Sequence, residues 1–198
     1  KINKRVTRAT FDYYMGYLAE QHSNNDGQIL LRYKLRVHIF KTNLMQLYTS
    51  NYTLGPANAR FANVVMLTKN INDISKSLWE TFDLIIIPFM EGTYGLKLVL
   101  VDVANRALRF YDPLKTTRME DEYHYNYRYI EYAIKYMNDE HTYATGSPLP
   151  IEWSVYENEV TCLDNFALCG LYVCFFAHCI LKGNLFPVNS HTLIDPFY

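Results

Sequence analysis

One of the four cysteines stands where a thiol could be activated. Cys169 follows "LDNFAL", precedes Gly170 and lies near the start of an apolar run that ends at Leu181. A thiol in the first turn of a helix faces unpaired backbone N–H groups and the positive end of the helix dipole, and both favour thiolate. Gly170, lacking a side chain, would let a substrate backbone come close. The chemistry implied is nucleophilic attack, which needs a base to take the thiol proton and return it to the leaving group. A carboxylate commonly orients that base, and Asp112 is the candidate. It closes the stretch "YGLKLVLVDVANRALRFYDPLK", Tyr94 to Lys115, as an acid at the end of an otherwise apolar pair of strands.

The cysteines (Cys162, Cys169, Cys174, Cys179) are spaced 7, 5 and 5 apart. No C-x-x-C pair and no zinc spacing is present, so neither a metal nor a cofactor is expected. Any one of these thiols also fits the role of a small core hydrophobe in a reducing compartment.

The elements that must position Cys169 and Asp112 follow from periodicity. "LKLVLVDV" alternates, with Leu96, Leu98 and Leu100 on one face and Lys97, Val99 and Val101 on the other. "ALRFYD" is the next strand, with "VANR" as the turn between them. "FDLIIIPFM" reads as a buried strand. A helix is predicted from Thr10 to Gln21, ending in the Asn-Asn-Asp-Gly turn. "ILLRYKLRVHIFKTNLMQLYTS" starts like a strand and could end as a helix, and "GPANARFANVVMLTKN" reads as a loop followed by helix. A Tyr-rich helix begins near Met119, with its rings packed on the core and its hydroxyls wet. "TGSPLP" is a loop, "IEWSVYENEV" a strand, and an apolar helix starts near Ala167. Helices, central strands, helix, strand, helix describe an α+β domain.

Composition agrees. With 49% apolar and 20% charged residues the chain is globular. A formal charge of −1 gives no electrostatic case for nucleic acid or an anionic membrane. The run from Phe166 to Leu181 is shorter than the ~20 residues of a spanning helix. The opening "KINKRVTRATF", without Met, signal or transit pattern, reads as a piece of a longer chain, and residues 1–198 as a single domain of it.

In this order the motifs resemble the ubiquitin-like-protein proteases, the SUMO-specific (sentrin-specific) cysteine proteases. That family's pattern is H-W-x-L-x-x-x-D, a turn, Y-Y-D-S-L, then Q-x-N-x-x-D-C-G-x-Y/F. This chain supplies Leu98 and Asp102 from the first block and Tyr111-Asp112-Pro113-Leu114 from the second. From the third it supplies Asn165, Cys169, Gly170 and Tyr172. "FDLIIIPF" matches the strand before the histidine, and "ATFDYYMGYLAEQ" resembles the opening helix. The adenovirus-type proteases share the fold and match less well. The resemblance implies a papain-like fold with a central mixed sheet flanked by helices. It makes Cys169 the nucleophile, Asp112 the residue that orients a catalytic imidazole, and Leu96, Gly170 and Asn165 part of the binding region.

It also exposes departures. The histidine position holds Gly95, the tryptophan position Leu96, the oxyanion glutamine Leu163, and the aspartate before the cysteine Leu168. Losing one member of a triad leaves ~10³–10⁴ of residual acceleration, and losing an oxyanion donor removes roughly 10²–10³ more. Without an imidazolium, Asp112 becomes a lone carboxylate that raises the thiol's pKa. His22, His38, His124, His141 and His191 lie outside the hairpin that should face Cys169, and His178 is nine residues further along its helix.

The expected function is therefore a catalytically impaired protease-fold domain, a pseudoprotease, acting as a protein-binding or docking module. A ubiquitin-like modifier is among the partners the resemblance suggests, with nuclear or cytoplasmic, intracellular localisation. The alternative is an active cysteine protease or isopeptidase on SUMO, ubiquitin or a related modifier, using Cys169 with a non-standard base. Leu96 offers less stacking area than tryptophan, so partner contacts are expected away from the tail-binding tunnel, on the Tyr-rich segment 123–136.

Overall fold

Between Leu84 and Tyr111 three apolar strands follow one another closely, and they form the centre of the sheet. The structure is a computed structural model describing residues 6–22, 29–30, 35–45, 48, 64, 76–91, 95–113, 120–149, 152–157 and 168–183. The strands are β1 (Ile29–Leu30), β2 (Arg36–Ile39), β3 (Leu84–Glu91), β4 (Gly95–Asp102), β5 (Ala107–Tyr111) and β6 (Ser154–Glu157). They lie in the order β1-β2-β3-β4-β5-β6. The pairs β1–β2, β3–β4 and β4–β5 are antiparallel, while β2–β3 and β5–β6 are parallel. The helices with described bounds are α1 (Arg8–His22), α2 (Leu78–Thr81), α3 (Glu120–Thr145) and α4 (Cys169–Leu181). This is the expected α+β architecture. "GPANARFANVVMLTKN" lies outside the described residues apart from Val64, which is helical.

Both faces of the sheet are covered, so the strands are apolar on both sides. Ile85, Ile87, Phe89, Val99, Val101, Leu108 and Phe110 pack towards Ile130, Ala133, Tyr136 and Met137 of α3. Leu84, Ile86, Leu96, Leu98, Leu100 and Tyr111 pack with Phe11, Met15 and Leu18 of α1 and with Val173, Phe176, Ala177 and Ile180 of α4. The alternation of "LKLVLVDV" thus sorts residues between two cores rather than between core and water. Pro88 fits in β3 because the parallel pairing with β2 ends at Ile86, so its missing N–H breaks no bond on that side.

The connections carry their own local chemistry. Ser77 and Glu80 form a capping box at the start of α2. In the β4–β5 turn, the Asp102 carboxylate accepts from Asn105 N at 3.1 Å and Asn105 Nδ2 at 2.8 Å. Arg106 takes a left-handed φ of 52° to complete that turn. Tyr136 is buried at the centre of one core, Tyr129 and Tyr132 pack against it, and the Tyr129 ring meets Phe89 at 5.2 Å. Tyr136 is therefore a core residue, its hydroxyl buried rather than wet, while Tyr129 and Tyr132 are partly buried against the same core. The side chains of Tyr123, Tyr125 and Tyr127 lie outside the described residues.

Candidate functional site

Cys169 is the first residue of α4 and is fully buried. The residue before it, Leu168, occupies the N-cap position and makes no side-chain cap bond. An aspartate there could have accepted a bond from the first-turn N–H groups. Burial first, and then the Asp112 carboxylate, push the Cys169 thiol up to about 11. The residue's own backbone N–H and the Lys97 ammonium act the other way and lose. The helix terminus thus does not produce a thiolate here, because desolvation outweighs it.

Asp112 directly follows β5, one step beyond the last ladder pair, Leu98–Tyr111. Its carboxylate meets the Lys97 ammonium at 2.8 Å, with both side chains almost completely removed from water, 6% and 7% exposed. Without an imidazole, Asp112 was expected to be held by backbone N–H groups or water; an ammonium pairs with it instead. The Lys97 ammonium also lies 5.5 Å from the centre of the Tyr129 ring and 5.9 Å from that of Phe110, at distances where a cation is attracted to an aromatic face. An ammonium has three donors and no acceptor, so while Lys97 is held in this pair it cannot take the thiol's proton.

Lys97 was missed in reading the sequence, although a signal was present. Ladder partners in β4 and β5 have residue numbers summing to 209, as in Leu98–Tyr111 and Val99–Phe110. Extending that register by one step sets Lys97 opposite Asp112. A lone lysine in a strand apolar on both faces needs such a partner.

Gly95 opens β4 and lies across from Glu91 of β3. Strand alternation puts it on the same face as Lys97. Leu96 is 2% exposed and belongs to the core beneath α1 and α4, so it is a packing residue rather than a free wall of a tunnel. Gly170 is buried as well. A Cβ built on it would stand 2.7 Å from Val6 Cβ and 3.2 Å from Leu96 Cδ1. The close approach expected of a substrate is made instead by the chain's own Val6 and Leu96. Leu163 and Asn165 lie outside the described residues.

The described histidines are placed elsewhere. His38, in β2, packs edge-on to Phe40 at 4.5 Å, and burial lowers it to about 4. His141 is near the end of α3. His178 stands nine residues beyond Cys169 in α4, about 13 Å along the axis. No cluster of three metal-ligating side chains occurs among the described residues, and no described helix is long and apolar enough to cross a membrane.

A cysteine heading a buried helix, laid against a mixed sheet whose central hairpin ends in an aspartate, defines a papain-like cysteine-protease fold of the SUMO-protease type. The chain belongs to the Ulp1 protease family, whose C-terminal catalytic domain matches residues 5–195. Among solved structures it is similar to the C-terminal Ulp1 protease domain in complex with Smt3, the yeast orthologue of SUMO. That match has 14% identity and a TM-score of 0.63, over 95% of this chain and 70% of that one. The SUMO protease Ulp1 with its catalytic cysteine oxidised to a sulfonic acid matches at 10% identity and a TM-score of 0.61, over 91% and 68% of the two chains. The Ulp1-like SUMO protease catalytic domain of Chaetomium thermophilum matches at 12% and 0.54, over 90% and 64%. At such identities the likeness is one of fold. No curated protein sequence matches the chain.

Proposed function

We propose that this domain is a catalytically impaired member of the Ulp1 protease family that works by binding a protein partner. One observation carries the reading. The carboxylate in the family's imidazole-orienting position is engaged by Lys97 at 2.8 Å, while the family's nucleophile position holds a buried thiol pushed up to about 11. At pH 7 such a thiol is held in its protonated form. Gly95 offers no group to accept its proton. Retention of the fold without this chemistry favours a binding role, and the Smt3 complex of the solved Ulp1 domain supports a ubiquitin-like modifier as the partner class.

The test combines labelling and binding. SUMO and ubiquitin bearing C-terminal electrophiles are incubated with the domain, and adducts at Cys169 are sought by mass spectrometry. Unmodified SUMO is titrated in parallel by calorimetry. The expected result is no adduct, together with measurable SUMO binding. Stoichiometric labelling of Cys169 would refute the loss of activity, and absence of SUMO binding would refute the partner class.

A further inference from the structure

We propose that the outer face of α1 is a self-association surface, on which a second copy of this chain docks antiparallel so that Tyr13 of each chain fills the notch left by Gly16 of the other. The inference is independent of the modifier-binding role and uses none of the residues around Cys169.

Helical periodicity sorts α1 into two faces. Phe11, Met15 and Leu18 turn inward and are buried. Ala9, Tyr13, Gly16 and Glu20, spaced 4, 3 and 4 apart, form one exposed stripe on the opposite side. Tyr13 is 79% exposed, and Tyr17, beside the stripe, is 48% exposed. Tyrosine rings are favoured interface anchors, since they offer large area with few rotamers to freeze. The helix beneath them is fixed. Thr42 N and Oγ1 each donate to Asp12 at 3.0 Å, and Arg8 Nε donates to Thr42 Oγ1 at 2.9 Å. The face is therefore presented ready-made, which lowers the entropy lost on docking.

Gly16 has no purpose within the chain. It lies in the interior of a 15-residue helix, its φ is not left-handed, and a Cβ built on it would meet nothing within 4 Å. Glycine is the poorest helix former apart from proline, so α1 on its own would be firmer with almost any other residue there. Gly170 differs, because Val6 and Leu96 crowd its missing Cβ. What Gly16 supplies is bare helix backbone one turn from Tyr13, open to a large side chain from outside.

The order of residues along the stripe identifies the occupant. Small, large, small, large at positions 9, 13, 16 and 20 is its own complement when run antiparallel. In a two-fold pair whose facing residue numbers sum to 29, Tyr13 lies over the partner's Gly16 and Glu20 over the partner's Ala9, each contact occurring twice. A parallel pair would set Tyr13 against Tyr13 and leave both notches empty. Charge agrees with the antiparallel register. It brings the Glu20 carboxylate to the first turn of the partner's α1, the positive end of that helix, which has no acidic residue of its own. A contact made by one helix from each chain belongs to the small class of interfaces, below about 1,200 Å² in total, so the pair is weak and concentration-dependent.

Sedimentation equilibrium of the whole 198-residue chain, kept reduced so that no disulfide contributes, tests this. The mass should rise with concentration from one chain towards two. Gly16→Gln fills the notch and should weaken association by about tenfold or more. The same change should raise the Tm of the dilute monomer by about 2–4 °C, because a better helix former replaces glycine. Tyr13→Ala should weaken association to a similar degree without lowering the Tm. Mixing the two variants should give tighter association than either alone. On one side of the two-fold an intact Tyr13 then meets an intact Gly16, and on the other the lengthened side chain meets the shortened one. A mass of one chain at every concentration would overturn the proposal. So would native-strength association in either variant, or a mixture that associates no more tightly than its components.

Discussion

Replacing Lys97 by methionine keeps an unbranched apolar stem among Phe110 and Tyr129 but deletes the ammonium. The Asp112 carboxylate, 6% exposed, then loses a cation 2.8 Å away. Removing one partner of a buried pair costs about 3–5 kcal/mol, because the remaining charge loses its counter-ion in a medium of low polarity. A destabilisation of roughly 3–5 kcal/mol is a large share of the ~5–15 kcal/mol that holds a typical domain together. For a chain of this length it lowers Tm by about 6–20 °C. Urea unfolding followed by tryptophan fluorescence measures it. Both tryptophans of the chain report on the fold, since Trp79 and Trp153 stack edge-on at 5.6 Å. Adding Asp112→Leu to the Lys97→Met variant should recover most of the loss, since neither charge is then buried alone. A cost below about 1 kcal/mol for Lys97→Met, the worth of an exposed pair, would refute the buried geometry on which the functional reading rests.

Two further outcomes are expected. Glu140, raised from 4.5 to about 7 by burial, binds its proton more tightly when folded and withdraws up to about 3 kcal/mol of stability as pH rises from 4.5 to 7. His38, lowered from 6.5 to about 4, acts oppositely, adding up to about 3 kcal/mol as pH rises from 4 to 6.5. Urea stability of the native chain should therefore be nearly flat between those limits, falling with pH in His38→Phe and rising with pH in Glu140→Gln; three identical profiles would contradict both assignments. Separately, Cys169 alkylation should climb with pH towards an inflection near 11, and Gly95→His combined with Lys97→Met should move that inflection down by freeing Asp112 for an imidazole; an unmoved inflection would show that Gly95 does not occupy the histidine position.

Much of the fold was legible because it rests on short-range pattern. The apolar runs of β3, β4 and α4 and the "VANR" turn follow directly from residue order, and α1 lies within two residues of its predicted limits. What escaped depends on register or on distant contact. Lys97 was assigned to a face, but its partner appears only when the β4–β5 ladder is counted past its last pair. The capping box at Ser77 and Glu80 was present as S-x-x-E and went unread. Gly170 was taken for an opening to substrate, and no local pattern could show that a valine 164 positions earlier fills the space. The Tyr-rich helix was read as packing its rings on the core with its hydroxyls wet; the rings of Tyr129, Tyr132 and Tyr136 do pack there, but the Tyr136 hydroxyl is buried with its ring rather than wet.

The sheet order also dictates how the molecule comes together. The meander β3–β4–β5 needs only short-range pairing, whereas the parallel neighbours on either side wait for long crossovers, from Ile39 to Leu84 and from Tyr111 to Ser154. Local contacts close faster than distant ones. On that ordering the hairpin bearing Lys97 and Asp112 is expected to pair before α3 and α4 cover it, so that the two charges would meet in water, where pairing costs little desolvation, rather than in an apolar medium.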